Sequence, residues 1–247
     1  MAGAKETGRG AEPPAAPDVA APPRRRGKIA GKVNSGKAHS GKADLADPIA
    51  QERSLATREK LLAAATAGFA RVGYDGYSNR MMAAETGIHH ALVTYYFGSK
   101  FELWKACLMS MTQDLRVKLA ARWPEARDDT DRIRIVFEEF IRHNSRVPQF
   151  QALAADAVGR EDGRFQWVLD SLGRAAHDTW RDLIASSQKA GRFVDGDPGL
   201  LLNIFLGAAV RIYIMAPETQ HNLGRSPFDP AFVDEHVATV LALFFKD

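Results

Sequence analysis

SNRMMAAETGIHHALVTYYFGSK, residues 78–100, is the stretch from which the rest of the chain can be read. Ser78 is a helix-capping residue, and the eight positions after it carry no breaker until Gly87. A third short helix is expected from about His89 to Tyr95, and Ser99 is placed to cap a fourth. Two short helices that cross steeply need a small residue where they touch, and Ala83 supplies it. The turn between them needs a residue free to take positive φ, and Gly87 follows four positions later. Ile88, Val93 and Tyr96 are placed to anchor the second helix. The pattern is that of a helix-turn-helix.

Helix geometry then sorts the third helix into two sides. At about 100° per residue, Leu92, Val93, Tyr96 and Phe97 turn one way and His90, Ala91, Thr94 and Tyr95 the other. The second set is the one offered to a major groove. His90 and Thr94 can donate or accept at a base edge, Ala91 can touch a thymine methyl, and Tyr95 can reach a phosphate. His89 stands beside them at the start of the helix.

Outward from this stretch, residues 57–108 (TREKLLAAATAGFARVGYDGYSNRMMAAETGIHHALVTYYFGSKFELWKACL) resemble the DNA-binding domain of the TetR family of bacterial regulators. The resemblance rests on Thr57-Arg58-Glu59-Lys60 and on Phe69 with Gly73-Tyr74. It continues through Ser78 and Arg80, the Ala83/Gly87 pair, Tyr96-Phe97 and Ser99-Lys100. It implies that Arg80 reads a base and that Ser78 and Lys100 hold the DNA backbone. A hydroxyl-capped helix N-terminus and a compact positive charge both suit a phosphate. Two positions depart from the family's habit: Leu92 replaces a small polar residue and Thr94 a frequent tyrosine. Beyond residue 108 the resemblance is one of length and helix order only.

The charge distribution agrees with a polyanion partner for the first part of the chain. The formal net charge is +3 overall, but it is +4 over residues 1–50, +2 over 51–105 and −3 over 106–247. Residues 1–50 hold six of the twelve prolines and no Phe, Tyr or Trp. Such a segment buries too little apolar surface to offset its ordering entropy, so a disordered basic arm is expected there. Arg24-Arg25-Arg26 with Lys28, Lys32, Lys37 and Lys42 would either solvate it or track phosphates.

Residues 51–105 form the expected DNA-binding head and residues 106–247 the expected sensor and dimerisation body. An amphipathic first helix starts near Ser54, carries Leu62, Ala65, Phe69 and Val72, and ends near Gly73. The long fourth helix stops before Trp123-Pro124. Asp128, Pro148, Phe165, Asp197-Pro198 and Asp229-Pro230 mark the starts of five more helices. No stretch alternates with period two, so the fold class is all-α: a three-helix N-terminal head and a C-terminal helical bundle.

In the body, Phe140, His143, Phe150, Trp167, His177 and Trp180 combine an apolar surface with, in four cases, a polar tip. They are the candidates for a small-molecule effector pocket. Leu202, Phe205, Leu206, Ala209, Val210 and Tyr213 stripe one late helix, and Phe232, Val237, Leu241, Phe244 and Phe245 stripe the last. By resemblance these helices pair in a homodimer, with Phe205, Ala209, Val237 and Leu241 at its centre. Two recognition helices about 34–36 Å apart, or a multiple of that, would then read a near-palindromic double-stranded operator.

Other classes find less support. There is no glycine-rich phosphate loop, nucleophile elbow or convincing acid pair, so no enzyme is expected. The single cysteine excludes an internal disulfide and a multi-thiolate metal site, and neither metal nor cofactor is expected. No run of about 18 apolar residues calls for a membrane span, and the first residues do not form a secretory signal. A cytoplasmic regulator, by resemblance most often a repressor released by its ligand, is the leading expectation. A helical binding protein touching nucleic acid non-specifically through its basic arm is the alternative.

Overall fold

A computed structural model describes residues 48–246, with side chains from Gln51 onward; the expected basic arm lies outside the described residues. The described chain is helical, with one isolated antiparallel bridge between Phe193 and Phe245 and no named strand.

The first helices follow the capping chemistry. Helix α1 (Pro48–Gly76) begins before the expected Ser54, and its helical geometry breaks at Gly73, whose φ of 74° suits a glycine. Helix α2 (Asn79–Thr86) starts where Ser78 Oγ accepts from the Met81 N–H at 3.2 Å. It stops at Gly87, left-handed at φ 71°, whose N–H donates to the Ala83 carbonyl. Helix α3 (His90–Phe97) follows after three residues, and Ser99 caps α4 (Lys100–Arg122) by accepting from the Glu102 N–H.

The body runs α5 (Asp129–Arg146), α6 (Gln149–Ala155), α7 (Arg164–Val168), α8 (Arg174–Lys189), α9 (Pro198–Ile214), α10 (Ala216–Leu223) and α11 (Pro230–Phe244). Asp128 and Asp197 cap α5 and α9 through their carboxylates at 2.9 and 2.7 Å. Helices α7 and α8 are one long helix interrupted by a π turn at Leu169–Gly173. Helix α10 was not expected from the sequence; five of its eight residues are polar, and only Thr219 is buried. No single described helix is long and apolar enough to cross a membrane; only the pair α9–α10, bent by 83°, passes on composition.

Two apolar clusters fill the molecule. The first joins Leu61, Phe69, Tyr77, Val93 and Phe97 of α1–α3 to Trp104, Cys107 and Met111 of α4, and takes in Leu153 and Ala157 near the end of α6. Its tightest point is Gly68, where the Tyr77 ring lies so close that an added Cβ would stand 2.1 Å from it. Cys107 is fully buried there, and burial pushes its thiol up to about 12. The second cluster is aromatic. Phe137 stacks on Phe205 at 3.4 Å, ringed by Phe193, Phe244 and Phe245. Its edge is tied by His236 of α11, which lies 3.0 Å from the Tyr213 hydroxyl and 3.1 Å from the Ala208 carbonyl of α9. Helix α4 crosses from one cluster to the other: Met111 belongs to the first, Leu115 and Leu119 to the second.

Candidate nucleic-acid interface

Helix α3 is clamped from behind and free in front. Val93 and Phe97 are buried, with the Arg58 guanidinium 5.1 Å over the Phe97 ring. The Tyr96 hydroxyl lies 3.2 Å from Ser54 Oγ of α1. In front, His90, Ala91, Thr94 and Tyr95 are all exposed, Tyr95 to 76%. His89 caps the helix, its Nδ1 accepting from the Ala91 N–H at 3.3 Å. Leu92, expected on the inner side, is 39% exposed, because a helix resting on one neighbour buries a stripe narrower than half its surface.

Helix α2 is pinned by its own polar contacts. The Tyr77 hydroxyl donates to Glu85 at 2.6 Å, and Arg71 pairs with the same carboxylate. Lys60 Nζ holds the last turn through the Thr86 carbonyl at 3.0 Å. At its first turn an open cleft of about 570 Å³ is lined by Ser78, Asn79, Arg80, His90 and Lys100. Four of the residues singled out from sequence thus share one concavity with the N–H groups of a helix start. Asn79, which the sequence reading passed over, belongs to it, and its Oδ1 is buried without a partner in the chain.

Lys100 has a position of its own. Its Nζ sits 4.5 Å over the Tyr74 ring and donates to the Asp75 carbonyl at 3.5 Å. Partial burial lowers its pKa, against the pull of Asp75. Around the same turn lies an ion cluster that sequence reasoning missed. Arg164, 1% exposed, donates to Asp156 at 2.9 Å and Asp162 at 2.7 Å and lies 4.1 Å over the other contact of Lys100, the Tyr74 ring. The Tyr74 N–H donates to Asp156 at 3.3 Å, and Arg160 reaches Asp75. The loop between α6 and α7 is therefore fastened to the last turn of α1, beyond its break at Gly73.

In the body, an open cavity of about 730 Å³ lies between α6, the π turn, α8 and α9. Phe140, Phe150, His177 and Trp180 line it. Trp167 stands elsewhere, edge-on to Trp104 at 5.7 Å in the first cluster. His143 lies behind Phe150, 1% exposed, with neither ring nitrogen bonded, and burial pushes its pKa down to about 4. Phe205 and Ala209 are fully enclosed within the single chain, Val237 is 5% exposed and Leu241 half-buried. The stripes of α9 and α11 are shared: their inner halves fill the aromatic cluster, and Leu200, Ile204 and Leu243 remain exposed. No grouping of His, Cys, Asp and Glu among the described residues could hold a metal ion.

Comparison with known proteins places these features. Residues 61–107 match the family described as bacterial regulatory proteins, tetR family. No curated protein sequence matches. The ketosteroid transcriptional regulator KstR2 of Mycobacterium tuberculosis is similar in structure, with 19% identity, 77% of this chain and 96% of that one covered, and a TM-score of 0.59. AibR, solved in complex with isovaleryl coenzyme A and operator DNA, is similar at 17% identity over 76% of this chain and 97% of that one, with a TM-score of 0.60. A TetR/AcrR-family regulator of Thermobifida fusca is similar at 22% identity over 76% and 96%, with a TM-score of 0.54. Residues 61–107 are thus a TetR-family domain, and the chain that carries them has the fold of the TetR/AcrR regulators.

Proposed function

We propose that the protein is a sequence-specific transcriptional regulator that binds double-stranded DNA as a homodimer and leaves its operator when a small molecule fills the body cavity. One observation carries the reading: the outward face of α3 (His90, Ala91, Thr94, Tyr95) adjoins a cleft built from a capped helix start, Arg80 and Lys100. Ser78, the α2 N–H groups and Lys100 suit phosphates, which position, while Arg80, His90 and Thr94 suit base edges, which specify. A single eight-residue helix discriminates little. The exposed Leu200 and Ile204 of α9 and Leu243 of α11 offer an apolar face for a second copy. A cytoplasmic site of action follows from this reading.

Release requires that the effector prefer one arrangement of the head over another. Helix α4 joins head and body, and the ion cluster adds a second path. Phe150, Gln151 and Ala154 of α6 line the cavity, and the next turn ends at Asp156, which holds Tyr74 and Arg164. Displacing α6 therefore pulls on the turn that Lys100 grips. AibR, with an acyl coenzyme A and operator DNA in one crystal, is a precedent for a regulator of this fold that meets both partners.

Selection of preferred duplexes from a random pool by the purified protein tests the proposal. A near-palindromic consensus is expected. Equal retention of all duplexes would overturn it in favour of non-specific adhesion through residues 1–50.

A further inference from the structure

The body cavity is polarised along its length. Helices α8 and α9 are joined by a short loop, so they run antiparallel and their residues meet in reverse order. Along α8, Trp180 stands nearer the connecting loop than Arg174 and His177, and along α9, Leu202 and Leu206 stand nearer it than Val210 and Arg211. All of these line the cavity. The first end is dry: Trp180 is 8% exposed and edge-on to Phe140 at 5.5 Å, and Leu202 is fully buried. The second end opens to solvent, with Arg174 and Arg211 more than 60% exposed. The π turn at Leu169–Gly173 supplies Leu169, Leu172 and Gly173 to the wall between them. Such helix irregularities are frequent at functional sites.

The charges at the mouth have one sign on offer. Arg174 pairs with Asp170 at 3.0 Å and Arg211 with Glu218 at 2.9 Å, and neither carboxylate lines the cavity. Exposed pairs of this kind contribute about 0–1 kcal/mol, so an arriving anion displaces them at little cost. Asp178, the one acid in the lining, is already held by Arg181 at 3.1 Å. We infer that the effector is an anionic amphiphile: an apolar body seated against Phe140 and Trp180, and a carboxylate or comparable anion held at the mouth by Arg174 and Arg211. The inference rests on the reading of this cavity as the effector site and names the ligand class that site takes.

Isothermal titration of the full-length protein with decanoate, decan-1-ol and decylamine, each below its aggregation limit, separates the possibilities. Decanoate should bind at least tenfold more tightly than either of the others. In the double variant Arg174→Gln/Arg211→Gln its affinity should fall to that of the alcohol. Equal affinities in the parent protein, a preference for the amine, or no binding of any of the three would overturn the inference. So would a carboxylate preference that survives in the double variant. Duplex selection without ligand keeps the outcomes apart. If the protein picks an operator but shows no carboxylate preference, only the ligand class fails. If decanoate binds but leaves operator affinity untouched, the ligand class stands and the release mechanism fails.

Discussion

The two apolar clusters are built to different ends. The head cluster is filled: Leu61, Met82, Leu103, Trp104 and Leu108 have no exposed surface, and Gly68 leaves no room for one more methyl against Tyr77. The body cluster is filled on one side, where Phe137 stacks on Phe205, and hollow on the other, where Phe140 and Trp180 face a cavity of about 730 Å³. A close-packed unit transmits displacement as a block, whereas a wall that faces open space on one side can rearrange around a guest. The contrast teaches a division of labour: recognition depends on a shape that holds, and sensing on one that yields.

The strongest way to break this contrast is at the fastening between the parts. Arg164→Met should lower the midpoint of chemical denaturation more than any other substitution here, since it removes the buried cation that holds Asp156, Asp162 and the Tyr74 ring together. The variant should also lose much of the effector's influence on operator affinity. An undiminished response would show that α4 alone couples the parts.

Next in size is a pH effect on the body. The folded pKa of His143, about 4, lies below the ordinary 6.5 of an unfolded chain, so the unfolded state binds the proton more readily between those values. Stability should be intact above pH 6.5 and fall by about 3 kcal/mol as pH drops through 4, and His143→Leu should flatten that part of the profile. An unchanged profile in the variant would place the acid sensitivity elsewhere.

Overpacking tests the filled head. Gly68→Ala should cost about 2 kcal/mol by forcing Tyr77 off its seat and loosening its bond to Glu85. Melting curves would register it, and a neutral result would mean that the head yields more than its packing shows.

Smallest are the contacts with DNA. Lys100→Ala should weaken binding to every duplex by about 1 kcal/mol and lower the salt slope by about 1. Thr94→Ala should instead relax preference at one base position by about the same energy. Equal losses on cognate and random duplexes for Thr94→Ala would remove that residue from the reading face.

Much of this architecture was legible because its signals are local. Ser78, Ser99, Asp128 and Asp197 each cap the helix expected of them, and Gly87 takes the positive φ that the turn required. The outward set on α3 follows from the helical period alone. What stayed hidden depends on which surfaces meet. The period that marks Phe205 and Ala209 as apolar does not say whether a neighbour in the same chain or a second copy covers them, and here the same chain does. Trp167, expected in the effector pocket, packs on Trp104 instead, and Arg164, at the end of a polar loop, is buried. Glu139, one of two adjacent acids on α5, is 7% exposed and held by Arg122 at 2.9 Å. Each of these depends on a partner remote in sequence.

The lone cysteine has a practical consequence. Cys107 of α4 faces α1 inside the filled head, its Sγ 3.9 Å from the Leu62 carbonyl, and its thiol resists ionisation at neutral pH. Modification by a maleimide or an alkylating agent must wait for those two helices to separate. The rate at which the native protein takes up one label is thus a built-in clock for breathing of the head, readable by mass spectrometry without any engineered probe.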